Sequence, residues 1–406
     1  MHSPTTVINV AQKLAAGLAA VLTIGSLNAV YAAPKTDSSG TVGRTPYIYY
    51  VTGNPTPDPV ISQKPSGRST VLMGGGEDVD RAFQWMIQRA GITPGTGGRF
   101  VVIRASGADG YNPYVWYSNY PTNTDTTSQP RNKSVGGAAM GLSSMETLVI
   151  PSREAANDDF VQKVVRRADA IFIAGGDQAD YINNWKGTRL HDLLDAKVSA
   201  NTPIGGTSAG LAVLGNYDFA ALRGSVTSTL ALSDPFNRYM TIDPMSISAR
   251  PFLNVAGLAY TITDAHVDER DRMGRLITFV SRLIAPTTGT GCAGGFLPAF
   301  GSGNNYARGI GLGIETALLV EEEGTGQFYG TRVTNPVDAT STSSKVYFVR
   351  PTREPKVCAQ KMPLTIEHVE IATVGAEPIR IDMTSWSNLR FGSHSISNGT
   401  FPGYPY

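Results

Sequence analysis

The stretch TPIGGTSAGLAVL, Thr202 to Leu214, decides the fold. Its apolar entry at Pro203 and Ile204 reads as a short strand, its glycines as a tight turn, and Leu211 to Leu214 as an apolar helical segment. Within it, Gly206-Thr207-Ser208-Ala209-Gly210 has the G-x-S-x-G spacing of a turn that lifts a serine hydroxyl out of a sheet. Gly206 and Gly210 matter for a steric reason, because they let backbone and neighbouring elements come close. The helix N-terminus would aim N–H groups and positive dipole character at charge developing on a reacting carbonyl. The alternative reading is a glycine-rich turn with an inert serine.

Working outward, ADAIFIAGGDQ (Ala168 to Gln178) is a second apolar strand ending in two glycines and polar residues. In a parallel sheet its loop would lie beside the serine turn. The N–H groups near Gly176 and at Ala209 would then form an oxyanion hole, with Gln178 able to hydrogen-bond substrate; a plain αL turn is the competing reading. STVLMGGGEDVDRAFQWMIQRAG (Ser69 to Gly91) gives a strand, a glycine turn and a helix whose apolar face carries Val79, Phe83, Met86, Ile87 and Ala90. RFVVIRAS and METLVIP continue the alternation. Short, β-branched, almost uninterruptedly apolar strands fit a sheet covered on both faces by helices, hence a mainly parallel three-layer α/β/α core.

The chain's 406 residues include 34 Lys and Arg against 33 Asp and Glu, a formal charge of +1. Such a balance supplies no broad basic surface, so a nucleic-acid binder is not expected. With 44 glycines and 25 prolines the chain is loop-rich, and its two cysteines, Cys292 and Cys358, allow at most one disulfide. Lys13, the apolar run from Leu14 to Leu27 and the small residues up to Ala32 read as a secretory signal peptide, with a buried N-terminal helix as the alternative. Cleavage after Ala32 would bring the formal charge to zero and place the protein in a periplasmic or extracellular space. No later run is apolar enough for a membrane span. The expected organisation is a signal peptide over 1–32, an extended leader over 33–68, an α/β catalytic domain over 69–323, and a β-rich extension over 324–406 packed on the core. The Tyr-, Asn-, Pro- and Thr-rich loop from Gly107 to Ser134 is long enough to line a site.

Five histidines are present. His266 is the best base for a serine, followed by Arg270, Arg272 and Arg275; on a helix starting near Val267 the last two would share a face and anchor a carboxylate. A salt-bridged surface helix with Asp268, Glu269 and Asp271 fits the same residues. His191 reads as a helix-surface residue. The carboxylate orienting the imidazole would be Glu315, between a glycine-rich entry and a hydrophobic strand, with Asp264 a close rival.

In order along the chain, Gly74-Gly75-Gly76, Gly175-Gly176-Asp177-Gln178, the serine turn, Asp264-x-His266 with its spaced arginines, and Gly311-Leu312-Gly313-Ile314-Glu315 resemble the cyanophycinase branch of the dipeptidase E-like serine peptidases, peptidase family S51. The resemblance covers roughly residues 69–323. It implies a fold related to class I glutamine amidotransferases, flavodoxin-like in layering. It implies Ser208 as nucleophile, His266 as base, Glu315 as its orienting acid, and Gly176 and Ala209 as the oxyanion hole. Gln178, Asp264, Arg270, Arg272 and Arg275 would be the substrate-binding set. It further implies a cyanophycin substrate cut to β-Asp-Arg dipeptides, no metal or other cofactor, and a homodimer. Ala265 stands where the intracellular branch commonly has Gln, and the acid motif is shorter than the usual form. Alternatives are an aspartyl dipeptidase of other specificity and a noncatalytic polymer-binding protein.

Overall fold

In this computed structural model the described residues are 45–61, 66–121, 132–133, 135–255, 257–287, 289–302, 305–324, 326–334, 344–375, 379–403 and 406, with short strand pieces at 35–36 and 42–43. The signal-peptide reading (1–32) and residues 122–131 and 134 of the long loop lie outside them. Fifteen longer strands and one two-residue strand build two sheets. In chain order they are β1 (Ile48–Gly53), β2 (Ser69–Met73), β3 (Arg99–Arg104), β4 (Ser144–Val149), β5 (Ala170–Ile173), β6 (Ile204–Thr207), β7 (Tyr217–Phe219) and β8 (Ile242–Asp243). Then follow β9 (Thr261–Asp264), β10 (Arg308–Leu312), β11 (Thr316–Glu323), β12 (Gln327–Thr334), β13 (Val346–Pro351), β14 (Ile366–Val374), β15 (Arg380–Asp382) and β16 (Gly392–Ile396). The helices that matter are α1 (Asp80–Arg89), α2 (Asp159–Arg167), α3 (Gln178–Trp185), α4 (Arg189–Ser199), α5 (Ala209–Ala212), α6 (Ser228–Ser233) and α7 (Met273–Leu283).

The first sheet has nine strands in the order β15-β12-β11-β2-β6-β5-β3-β4-β1. Its centre, β2-β6-β5-β3-β4, is parallel throughout, while β1 on one side and β11, β12 and β15 on the other run antiparallel. Alternation along the central strands sends side chains to opposite faces. Val71, Met73, Phe100, Val102 and Phe172 join the core under α1, whereas Leu72, Val101, Ile103, Ile171 and Ile173 join the core with α2, α3 and α4. All ten are fully buried, which is why these strands read as continuous apolar runs.

The second sheet, β8-β7-β9-β10-β13-β14-β16, is the part that a single three-layer reading did not anticipate. One of its faces contributes Ile310, Leu312, Val346 and Phe348 to the same core as α2–α4, and the other is covered by α7 through Leu276, Ile277 and Val280. The α/β class holds, with both sheets open. Beyond residue 324 the strands do not form a layer of their own: β12 and β15 lengthen the first sheet, and β13, β14 and β16 lengthen the second. The leader expected over 33–68 is likewise partly sheet. Its β1 pairs with β4, because Tyr47 and Tyr49 pack their rings on Phe160 of α2, 5.1 and 5.0 Å between centroids. Among the described residues no helix is long and apolar enough to cross a membrane.

Cys292 and Cys358, 66 residues apart, form a disulfide between the segment after α7 and the segment after β13. Closing a loop of that length restricts the unfolded chain by about 4 kcal/mol in the chain-entropy view. The Cys292→Ser, Cys358→Ser double variant should therefore unfold several degrees below the parent in a thermal scan. The denatured, unreduced parent should show no titratable thiol.

Candidate functional site

Four strands of the two sheets deliver their carboxyl ends to one place, as ligand sites in open α/β sheets require. β6 ends at Ser208, whose backbone is bent to φ 52°, ψ −114° and whose N–H reaches the Met73 carbonyl at the end of β2. The bend works only because its flanks lack side chains. A Cβ on Gly206 would lie 2.5 Å from the Gly210 carbonyl, and one on Gly210 2.0 Å from that of Ile173 in β5. β9 ends at Asp264 and brings in His266, itself at φ 53° with its N–H on the Gly74 carbonyl. A Cβ on Gly75 would come within 2.3 Å of His266 Nε2, so the glycine turn after β2 is the floor on which the imidazole lies.

Ser208 Oγ and His266 Nε2 are 2.9 Å apart. On the other side of the ring, His266 Nδ1 lies 2.7 Å from Glu269 Oε2. Glu269, three residues on in the same turn, therefore holds the position expected of Glu315. Sequence reading took Glu269 for a surface salt-bridge partner, and its i+3 spacing from the histidine does not by itself separate the two roles. Glu315 stands nearby. Its N–H donates to the Gly75 carbonyl, and its Cγ is 3.5 Å from where a Cβ on Gly76 would be. Burial pulls the His266 imidazole below its ordinary range and Arg270 and Arg272 add to this, while the hydrogen bond with Glu269 opposes it. That same hydrogen bond holds the Glu269 carboxyl below the usual carboxylate range.

A cavity of about 240 Å³ opens beside the serine. Gly176, Gln178, Ala209, Arg270, Arg272 and Arg275 all line it, as do Ser208 and Asp264. Gly176 follows β5 and Ala209 begins α5, so the two residues expected of an oxyanion hole flank the hydroxyl. Gln178 starts α3, whose N-cap Asp177 accepts the Ala179 N–H, and its amide Nε2 donates to the Phe219 carbonyl at 3.2 Å.

The arginines divide in a way their spacing did not reveal. α7 begins at Met273, not near Val267, and residues 267–272 form a turn closed by Asp271 at φ 49°. Arg275 is 2% exposed and is committed inside the protein. Its Nε and Nη2 donate to the two oxygens of Asp264 at 2.7 and 2.6 Å, its Nη1 donates to Ser225 Oγ and the Val226 carbonyl, and it lies over the rings of Phe219 and Phe279. Asp264 and Arg275, expected to hold substrate, thus neutralise each other at the cavity wall. A buried bidentate pair is the arrangement in which either partner alone would be a stranded charge. Arg272 differs. It donates to the Ala265 carbonyl at 2.9 Å but is 4.0 Å from Asp264, and burial lowers it to about 10. Arg270 is half exposed, 3.7 Å from Glu269. His191, read from sequence as a surface residue, is buried, stacked on Phe252 and bonded to its carbonyl.

Residues 138–223 match the model of peptidase family S51. The matched segment is about a fifth of the chain. That segment runs from before β4 to beyond β7, and so includes the Gly175–Gln178 loop and Ser208 but not His266. Over 233 residues the chain is 25% identical to the cyanophycinase of Trichormus variabilis, covering 57% of this chain and 63% of that protein. It is 29% identical over 143 residues to the cyanophycinase of Geminocystis herdmanii, covering 35% of this chain and 47% of that one. The chain thus spans less than two thirds of the length of these curated relatives. A crystal structure of a peptidase from an acI-B1 Actinobacterium aligns with a TM-score of 0.37 at 16% identity, over 77% of this chain and 96% of that one.

The division of the arginines has a measurable consequence. Arg275→Ala should cost about 3–5 kcal/mol of stability in denaturant titration, because it leaves Asp264 buried and unpaired. Arg272→Ala removes one hydrogen bond to the Ala265 carbonyl but leaves Asp264 paired with Arg275, so it should cost less, about 1–2 kcal/mol.

Proposed function

We propose that the protein is a serine peptidase of the S51 type, acting on cyanophycin or a closely related β-linked aspartyl-arginine polymer. The observation that carries this reading is the unbroken hydrogen-bonded series Ser208–His266–Glu269 at the mouth of a cavity lined by Arg270 and Arg272. The partial similarity to cyanophycinases supports this choice of substrate class.

In this reading Ser208 Oγ attacks an aspartyl carbonyl while His266 Nε2 takes its proton. The carbonyl oxygen becomes an oxyanion held by the N–H groups of Gly176 and Ala209, where the N-terminus of α5 favours negative charge. Collapse breaks the scissile bond as the imidazolium returns the proton to the leaving amine, giving an acyl-enzyme that water, activated by the same ring, hydrolyses. Glu269 fixes the Nδ1–H tautomer and stabilises the imidazolium. Arg272 is the cation best placed to receive a substrate carboxylate, because its guanidinium lines the cavity and its nearest acid, Asp264 at 4.0 Å, already has both oxygens bound by Arg275. The cavity volume favours a short unit, a property that an aspartyl dipeptidase of other specificity would share. An exported, cleaved form accords with the buried disulfide, since such bonds persist in oxidising compartments, and a homodimer is proposed by resemblance.

Purified enzyme incubated with insoluble cyanophycin should release β-Asp-Arg dipeptides identifiable by mass. Ser208→Ala should lower that release by about 10⁴–10⁶-fold. Dipeptides from ordinary aspartyl peptides, with none from cyanophycin, would move the assignment to the dipeptidase; binding without turnover would remove peptidase chemistry altogether.

Two further outcomes separate the roles of the acids and the base. Glu269→Gln should lower kcat by about 10²–10⁴-fold, whereas Glu315→Gln should have the smaller effect. His266 must be neutral to act as base, and its lowered pKa keeps it neutral further into acid. The acid limb of kcat/KM should therefore fall with a midpoint below the ordinary imidazole value of 6.5. Removing the guanidinium at Arg272 relieves one of the cations depressing the ring, so Arg272→Ala should shift that limb upward.

A further inference from the structure

The turn from His266 to Arg272 carries the base, its acid and the cavity-lining Arg270 and Arg272, yet it contains no regular secondary structure. It is held from outside at its far end. The backbone reverses at Asp271, a non-glycine residue at φ 49°, and two hydroxyl groups fasten this point. The Asp271 carbonyl accepts the Ser228 hydroxyl of α6 at 2.5 Å, and Ser228 Oγ in turn accepts the Arg275 N–H at 3.1 Å. The Asp271 side chain accepts the hydroxyl of Tyr406 at 3.0 Å. Tyr406 Oη also accepts the N–H of Met273, the first residue of α7, at 3.0 Å. One phenol thus bridges the last residues of the turn and the first N–H of the helix that follows.

Tyr406 is itself placed by β13. Its ring meets that of the fully buried Tyr347 edge-on, 6.0 Å between centroids. Tyr347 interacts electrostatically with Asp268, in the middle of the same turn, and Asp268 Oδ1 accepts the N–H of Glu269. The second sheet therefore reaches the turn through two tyrosines, one beside Asp268 and one at Asp271.

We propose that Tyr406 is a positioning residue for the catalytic turn: its hydroxyl, bridging Asp271 and Met273, fixes the turn so that Glu269 meets His266 and His266 meets Ser208. It touches no substrate and acts through Asp271. A backbone held at positive φ relaxes readily once its side-chain anchor is lost, and a displacement of under an ångström at a base and nucleophile costs rate rather than fold. This inference rests on the serine-peptidase reading, so its test reads the nucleophile independently of the polymer.

The experiment is the second-order rate at which a small, neutral fluorophosphonate labels Ser208, measured for the full chain, Ser208→Ala, Tyr406→Phe and Asp271→Asn, alongside thermal unfolding of each. Wild type should be labelled and Ser208→Ala not. Tyr406→Phe, which keeps the ring and loses the bridge, should label about 3–10-fold more slowly with an unfolding midpoint near that of wild type. Asp271→Asn, which keeps an acceptor for the phenol and tolerates positive φ, should label within twofold of wild type. Equal rates for Tyr406→Phe and wild type would overturn the proposal, as would slower labelling matched by an equal loss of folded protein. Absence of labelling in well-folded wild type would overturn the underlying nucleophile assignment instead, and with it the proposal.

Discussion

At the carboxyl ends of the central strands the backbones come so close that side chains have no room. A Cβ on Gly74 would stand 1.8 Å from the Gly313 carbonyl, and one on Gly210 2.0 Å from that of Ile173. This contact between main chains fixes everything above it. It lets β6 turn sharply into α5, so that Ser208 stands clear of the sheet; it lets the end of β10 pass over the end of β2; and it leaves the floor at Gly75 on which His266 lies. A side chain at Gly74 would push the two sheets apart, and one at Gly210 would lift α5 off β5. The serine and the histidine, which come from different sheets, would then separate with them.

Electrostatics refines the result of that steric constraint. The near-zero net charge indicates only that no long-range field captures a polyanion. Within the cavity wall the charges are sorted by pairing. Arg275 and Asp264 cancel in a dry environment and serve as scaffold, while Arg272 stands 4.0 Å from the same carboxylate and outside that bidentate pair. Three cations within six residues thus have three different environments: one in the interior, one partly buried on the cavity wall and one half exposed at its edge.

Much of this was legible in the sequence because local pattern carried it. The buried parallel strands announced themselves as apolar runs, and the turn at Ser208 as small residues between a strand and a helix. His266 stood out by the scarcity of histidines and by its polar, charged setting. What was not legible depended on through-space pairing. The second sheet joins β7, β9 and β10 to strands up to residue 396, and no local period encodes such partners. Glu269 was hidden by proximity: a charge three residues from a histidine suggests a helix-surface pair, and only the left-handed bend at His266 turns the two side chains toward each other. Arg272 and Arg275 were assigned to one helix face because the late start of α7 cannot be seen from charge spacing, and His191 looked exposed because its neighbours are polar.

Ser208, His266, Asp271 and Glu315 share a property beyond their location: each has positive φ without being glycine, at 52°, 53°, 49° and 57°. Each such residue stores on the order of 1–3 kcal/mol that the surrounding packing must offset. Other residues of the chain, among them Ala221 and Trp386, hold the same conformation, but at the site four such strains fall within one constellation, and selection for folding alone would act against them. Lineages or laboratory libraries screened only for heat resistance would drift toward glycine or asparagine at these four positions, gaining stability as they lost chemistry. Residues that persist there against that drift mark the function under selection.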